Sequence, residues 1–175
     1  MSQFSVSSFT CPTKVHFGFN AHRRLPDIVR ESGWKRIFVV VDPALRETEI
    51  FVSVRDLLAH GDIAVETFSD VEPEPKDTTA TRAFDACSAH GADAIGALGC
   101  GSAIDVAKAA AILATNGGVI ADYEGIEKFA VAPTPIVAIP STAGTGSEVS
   151  GACVITDSSR DVKMAIRHAA FGPAP

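Results

Sequence analysis

The sequence predicts an α/β fold in which helices flank a parallel sheet. Short apolar runs alternate along the chain with stretches of helical period, and strands separated by such helices form parallel βαβ units with right-handed crossovers. The residues are 46% hydrophobic but only 7% aromatic. Small aliphatic side chains must therefore do most of the packing, which favours strands that are buried on both faces.

Each predicted strand is bounded by Gly, Pro or Asp, and the strands alternate with stretches predicted to be helical. Buried strands are predicted over residues 37–41, 94–98 and 136–139, with a weaker one over 63–68. Helices are predicted over residues 25–31, 50–60, 78–90 and 102–114. The last helix is the clearest, because its Ala-rich turns place Ile104, Ala107 and Ala111 on one face.

The two ends of the chain depart from this alternation. Residues 4–9 and 15–17 alternate with a period of two and are predicted to form an N-terminal antiparallel pair or edge. Residues 152–155 and 162–166 are predicted to form a C-terminal hairpin around Asp157-Ser158-Ser159-Arg160. No repeat or internal linker divides the chain, so residues 1–175 are expected to form one domain.

The charge and cysteine patterns exclude several classes of function. The formal net charge is −6 and the pI is about 5.3, so charge alone recruits neither nucleic acid nor an anionic membrane. No apolar run is long enough to span a bilayer, and the start does not have the pattern of a signal peptide. The four cysteines are widely spaced, and we expect a cytoplasmic protein in which Cys87 and Cys153 are buried small hydrophobes. A homodimer is compatible with the sequence.

The segment after the 94–98 strand is the strongest local motif, Gly99-Cys100-Gly101-Ser102-Ala103-Ile104-Asp105-Val106-Ala107-Lys108. Glycines between a strand and a helix let the backbone approach an anion, and the first helical N–H groups point at it. The motif therefore favours a phosphate site. This segment alone leaves open a tight strand-to-helix turn, with Ser102 as N-cap and Asp105 as its capping-box partner.

A second polar loop follows the 136–139 strand, Pro140-Ser141-Thr142-Ala143-Gly144-Thr145-Gly146-Ser147-Glu148-Val149-Ser150. Its hydroxyl groups can donate hydrogen bonds to phosphate or ribose oxygens. Thr145 and Glu148 have capping-box spacing, which predicts the start of a short helix. A hydroxyl-rich turn without a ligand is common, but two such loops at the ends of apolar strands in one domain are not.

Asp42 ends the 37–41 strand with a carboxylate. In dinucleotide-binding folds an acid at this position accepts hydrogen bonds from the adenosine ribose and repels a 2′-phosphate. The following Pro43 supports a second role equally well, that of a helix N-cap with proline at the first helical position. The two roles can coexist.

Taken with Pro73-Glu74-Pro75, these motifs resemble the N-terminal domain of the iron-containing (group III) alcohol dehydrogenases. The family patterns G-G-G-S-x-x-D-x-A-K and P-T-T-A-G-T-G-S-E-V-T match residues 99–108 and 140–150, and the resemblance covers essentially the whole chain. Ser102 favours the alcohol dehydrogenases over the related glycerol dehydrogenases and dehydroquinate synthases. The resemblance implies a Rossmann-like NAD-binding domain of an enzyme that transfers hydride between an alcohol/aldehyde pair and NAD.

The resemblance also implies the residues that bind NAD. They are Asp42, Gly99, Gly101, Ser102, Asp105, Ser141, Thr142, Thr145, Ser150, Val154 and Lys163. Asp42 matches the ribose-binding acid, and residues 99–105 match the loop at the pyrophosphate and nicotinamide side. Val154 and Lys163 match contacts to the nicotinamide half and the cofactor ribose, although the sequence alone favours a solvated strand residue at Lys163.

Four positions depart from the family patterns. Cys100 replaces a middle glycine, putting a side chain where the backbone is expected to need positive φ. Ser141 and Ser150 replace threonines and keep the hydroxyl. Glu74 replaces the usual asparagine and adds a negative charge near the expected cofactor site.

The resemblance implies a catalytic iron or other divalent metal, held by one aspartate and three histidines of a helical C-terminal domain. By motif matching these ligands would lie beyond Pro175, and the histidines present lack the i, i+4 pairing of a metal site on a helix. We therefore expect no metal ligand and no catalytic residue here, and a chain that is inactive alone. The alternative is a non-catalytic nucleotide-binding or scaffold module. An Asp-x-x-x-His pair encoded past Pro175 would favour the enzyme.

Overall fold

The computed structural model describes residues 13–171, and within them the chain forms four α-helices and seven β-strands. The helices are α1 (Leu25–Glu31), α2 (Glu49–Ala59), α3 (Asp77–His90) and α4 (Gly101–Asn116). The strands are β1 (Arg36–Val41), β2 (Ala64–Phe68), β3 (Ala94–Gly99), β4 (Gly125–Ile126), β5 (Ile136–Pro140), β6 (Ala152–Asp157) and β7 (Val162–Arg167). The predicted central strands and helices are confirmed, with ends shifted by at most two residues.

Strands β2, β1, β3 and β5 pair in that order into a parallel sheet, sheet A. Successive side chains of a strand point to opposite faces, so β1 divides its residues between two cores. Ile37 and Val39 pack with α1 and α2, whereas Phe38 and Val40 pack with α3 and α4. Sheet A is thus covered by helices on both faces, as its apolar strands predicted.

Helix α4 lies at the centre of the domain. Its Ala103 and Ala107 pack against sheet A, while Ala109 and Ile112 pack against a second sheet, sheet B, formed by β4, β7 and β6. A helix can be buried on all sides only if most of its side chains are apolar, and small alanines let both neighbours approach closely. The layers are therefore α1 and α2, sheet A, α3 and α4, and sheet B.

The predicted C-terminal hairpin is confirmed as the antiparallel pair β6–β7. The Asp157 carboxylate shapes its turn by accepting hydrogen bonds from the backbone N–H groups of Ser159 and Arg160. Cys153 on β6 and Cys87 on α3 are buried with free thiols, as predicted. Burial raises the pKa of Cys87 to about 11, so its thiol stays protonated at neutral pH.

The prediction of an antiparallel edge at the N-terminus is wrong for residues 15–17, which form no strand. The side chains of Val15 and Phe17 are 60% and 100% exposed, so the period-two pattern has no apolar surface to pack on. The other half of the predicted pair, residues 4–9, lies outside the described residues. Within residues 13–171, no helix has the length and apolar character that crossing a membrane requires.

Candidate functional site

The candidate site lies along the edge of sheet A where its four strands end. The order in which strands are added to the sheet reverses between β1 and β3, because β2 lies on the far side of β1 and β5 lies on the far side of β3. In open α/β sheets ligands bind in the crevice at such a switch point. Asp42 follows β1, the segment 69–76 follows β2, Gly99 ends β3, and the loop 141–150 follows β5.

Asp42 lies at this switch point with both carboxylate oxygens hydrogen bonded. Oδ1 accepts from the Ala44 N–H at 3.0 Å, which confirms the predicted N-cap of a short 3₁₀ helix, Pro43–Leu45. Oδ2 accepts from the Cys100 thiol at 3.1 Å. The carboxylate is therefore held in one orientation next to the first loop, and its contact with a ribose stays a prediction.

Gly99 is required by the close approach of β1 and α4. A Cβ atom at this position would lie 2.7 Å from the Asp42 Cβ and 2.9 Å from the Ala103 Cβ, and φ is +153°. The expectation that Cys100 occupies a positive-φ position is wrong, because its φ is −83°. The unusual backbone falls on Gly99 instead, so Cys100 replaces a glycine without backbone strain.

Helix α4 begins at Gly101 with no side chain capping its first N–H groups. The capping box of Ser102 and Asp105 is not formed, since Cys100 is the N-cap. The Asp105 carboxylate accepts a hydrogen bond from the Val154 N–H at 3.1 Å instead, which ties α4 to β6. Uncapped N–H groups at a helix start leave donors for an anion.

The two predicted loops are in contact. A Cβ atom on Gly101 would lie 3.0 Å from Cγ2 of Thr145 and 3.2 Å from the Ser147 hydroxyl oxygen. Ser141 donates its N–H to the Gly99 carbonyl at 2.9 Å, which joins the loops at their other end. Glycine at 101 therefore allows the two loops to pack this closely.

The predicted short helix after Thr145 is wrong. Residues 146–150 make a single turn in which the N–H groups of Val149 and Ser150 both donate to the Gly146 carbonyl. Gly146 has a φ of +66°, which a right-handed helix does not allow. The Thr145 hydroxyl still accepts from the Ser147 N–H at 3.3 Å.

Lys108 is a site residue that sequence reasoning missed. Its ammonium group is buried and donates to the backbone carbonyls of Ser147, Ser150 and Ala152 at 2.7, 2.8 and 2.7 Å. Lys108 therefore fixes the end of the second loop from inside the domain. Burial lowers the pKa of Lys108, and the nearby Asp105 opposes that shift. The available signal was a lysine within a mostly apolar helix.

Two buried carboxylate oxygens near this lysine have no hydrogen-bond partner in the described residues, Oδ1 of Asp105 and Oε2 of Glu148. Asp105 is only 8% exposed, and burial raises its pKa. Buried polar atoms are nearly always hydrogen bonded in native proteins. Oδ1 of Asp105 is therefore enclosed by the protein, close to Lys108 and Ser147.

The remaining predicted residues lie further along the site. Ser102 is half-buried in the first turn of α4, and Thr142 is exposed on the second loop. Val154 and Lys163 lie on the outer face of sheet B, exposed on adjacent strands. Lys163 pairs with Glu74, its Nζ lying 2.6 Å from Oε1.

Comparison with known proteins agrees with this arrangement. The sequence pattern of the family described as iron-containing alcohol dehydrogenase matches residues 12–174. The chain belongs to this family. It is 36% identical to alcohol dehydrogenase 4 of Schizosaccharomyces pombe and 34% identical to the NAD-dependent methanol dehydrogenase of Bacillus methanolicus, each over 92% of the chain.

A solved member of the family has the same fold. It is the sulfoacetaldehyde reductase of Bifidobacterium kashiwanohense in complex with NAD+, with a TM-score of 0.88 and 29% identity over 98% of this chain. The chain spans only 45% of that structure and 38% and 42% of the two relatives above. The domain thus corresponds to the N-terminal part of the iron-containing alcohol dehydrogenase architecture.

The family's metal has no fitting set of ligands in residues 13–171. No group of three or more His, Cys, Asp or Glu side chains lies close enough there to hold a metal ion. His168, for example, stacks on the Phe129 ring at 3.9 Å and pairs with Glu127.

Proposed function

We propose that this chain binds NAD along the switch-point edge of sheet A, as the cofactor-binding part of a metal-dependent alcohol dehydrogenase. The observation that carries the proposal is the contact of the two loops at the uncapped start of α4, beside the oriented carboxylate of Asp42. Two relatives support it, since one is named an NAD-dependent methanol dehydrogenase and another was solved with NAD+.

Each part of the edge suits one part of the dinucleotide. The first N–H groups of α4, near Gly101 and Ser102, suit the pyrophosphate, and the Asp42 carboxylate suits the hydroxyls of the adenosine ribose. Asp105 belongs to the nicotinamide side of the proposed site, where its carboxylate positions the backbone of Val154. The remaining residues of the proposed site are Gly99, Ser141, Thr142, Thr145, Ser150, Val154 and Lys163.

When bound, NAD supplies the hydride acceptor or donor for an alcohol/aldehyde pair. The residues of this chain would bind and orient the cofactor, and none is assigned a catalytic role. We expect the 175-residue chain to form no NADH from alcohols above background, even with added iron or zinc. Metal-dependent turnover by a preparation whose mass matches the 175 residues would contradict this part of the proposal. The cytoplasmic location and the homodimer remain predictions.

Replacement of Asp42 tests the binding site directly. Asp42→Asn removes the charge but keeps a good N-cap, whereas Asp42→Gly removes both the charge and the cap. Both variants should narrow the preference for NAD over NADP, by roughly tenfold, because a 2′-phosphate no longer meets a carboxylate. Calorimetric titration of both cofactors into all three proteins measures the ratio. An unchanged ratio, or no NAD binding by the unmodified chain, would refute the proposal.

A further inference from the structure

Glu74 and Lys163 form an ion pair at the same edge of the domain as the proposed cofactor site. The Nζ of Lys163 lies 2.6 Å from Oε1 of Glu74, and the two side chains are 58% and 68% exposed. Glu74 belongs to the segment 69–76 after β2, so it lies at the carboxyl end of sheet A, whereas Lys163 is on β7 of sheet B. The pair therefore bridges the two sheets.

The backbone of the Glu74 segment is fixed on both sides. The Thr156 N–H of β6 donates to the Pro75 carbonyl at 2.8 Å. The Glu72 carboxylate accepts from the Lys76 N–H at 3.0 Å and from the Thr79 hydroxyl at 2.8 Å. Glu74 itself has a φ of +56°, which glutamate rarely adopts. Its neighbours thus impose the position from which it reaches Lys163.

A chain of contacts connects this pair to the switch point. The Asp105 carboxylate binds the Val154 N–H, and two residues further along β6 Thr156 is the strand partner of Lys163. The ion pair is therefore linked through β6 to the first turns of α4. An anionic dinucleotide that extends along the proposed site to Lys163 meets an ammonium group that already pairs with a carboxylate.

We propose that Glu74 sets the affinity of the site for its anionic cofactor by holding the ammonium group of Lys163. The inference depends on the proposed function, because it describes the same NAD site. Glu74 is a positioning residue that acts through Lys163, and cofactor binding requires the ammonium to leave the carboxylate. Removing the carboxylate should therefore strengthen NAD binding.

The test compares Glu74→Gln, Glu74→Asp, Lys163→Met and the double variant Glu74→Gln/Lys163→Met. At low salt, Glu74→Gln should lower the Kd for NAD about two- to fivefold, as expected for an exposed ion pair. Glu74→Asp keeps the charge and suits a positive φ, so its Kd for NAD should equal that of the unmodified chain. At about 0.5 M salt the gain in NAD affinity of Glu74→Gln should disappear, because salt screens the attraction between Glu74 and Lys163.

The double variant separates action through Lys163 from direct repulsion of the cofactor. If Glu74 acts by holding Lys163, Glu74→Gln produces no gain in the Lys163→Met background. A gain that persists there overturns the positioning role, and so does an unchanged or higher Kd in Glu74→Gln. Failure of the unmodified chain to bind NAD would instead refute the proposed function and this inference with it. Thermal unfolding without nucleotide confirms that each variant is folded.

Discussion

Replacing Lys108 with methionine should destabilise the domain and loosen the second loop. The change leaves the carbonyl oxygens of Ser147, Ser150 and Ala152 without their shared donor. An unsatisfied buried acceptor costs about 1 kcal/mol or more, so three cost about 3 kcal/mol or more. Removing the buried ammonium charge also removes its desolvation penalty, which offsets part of that loss of stability. We expect a net loss of about 2–4 kcal/mol in the free energy of unfolding.

Urea unfolding at pH 7 measures this loss, and Lys35→Met is the matched control because that residue is exposed. The control should change the free energy of unfolding by less than about 0.5 kcal/mol. For Lys108→Met we also expect the melting temperature to fall by roughly 5–15 °C and NAD binding to weaken at least about tenfold. If Lys108→Met is as stable as its control, the ammonium group does not hold the loop.

Two further predictions concern loop contact and the β6–β7 turn. Gly101→Ala should lower the free energy of unfolding by about 1–2 kcal/mol and weaken NAD binding. Adding Thr145→Ser should recover part of both losses, because it removes the Cγ2 atom that lies 3.0 Å from the new Cβ. If urea unfolding and NAD titration show no recovery, the steric explanation is refuted. Hydrogen bonds from the Ser159 hydroxyl and from Arg160 lower the pKa of Asp157 from its ordinary value of 3.8, so its charge stabilises the fold above that pH. The stability deficit of Asp157→Asn should therefore be complete at neutral pH and shrink as pH falls below about 3.8; a deficit that does not change with pH would contradict this cause.

The central elements were predictable because their signals are local. Residues 37–41 and 94–98 are apolar runs of strand length, and the glycines after the second run mark where a helix begins. The N-cap role of Asp42 followed from Pro43 alone. Such patterns need no knowledge of distant partners, and the structure confirms each of these elements.

The incorrect or missing predictions concern residues whose partners or conformation are determined by tertiary contacts. Asp105 has capping-box spacing from Ser102, yet its carboxylate binds the N–H of Val154, a residue 49 positions away. Gly146 ends the helical path that the spacing of residues 145 and 148 predicted. The position of Lys108 in a mostly apolar helix indicates that its side chain is buried, but its partners are three carbonyls of a distant loop, which no local pattern identifies.

The double burial of α4 has a consequence for motion in the domain. A helix packed between two sheets cannot translate or tilt without opening one of two cores, so its backbone amides should exchange with solvent only through near-global unfolding. The helix start near Gly101 is then a stationary reference point. Any adjustment on cofactor entry has to occur in the exposed residues of 141–150 and in the side chains of Glu74 and Lys163. Hydrogen–deuterium exchange should accordingly show slow amides along α4 and a nucleotide-dependent change in the second loop.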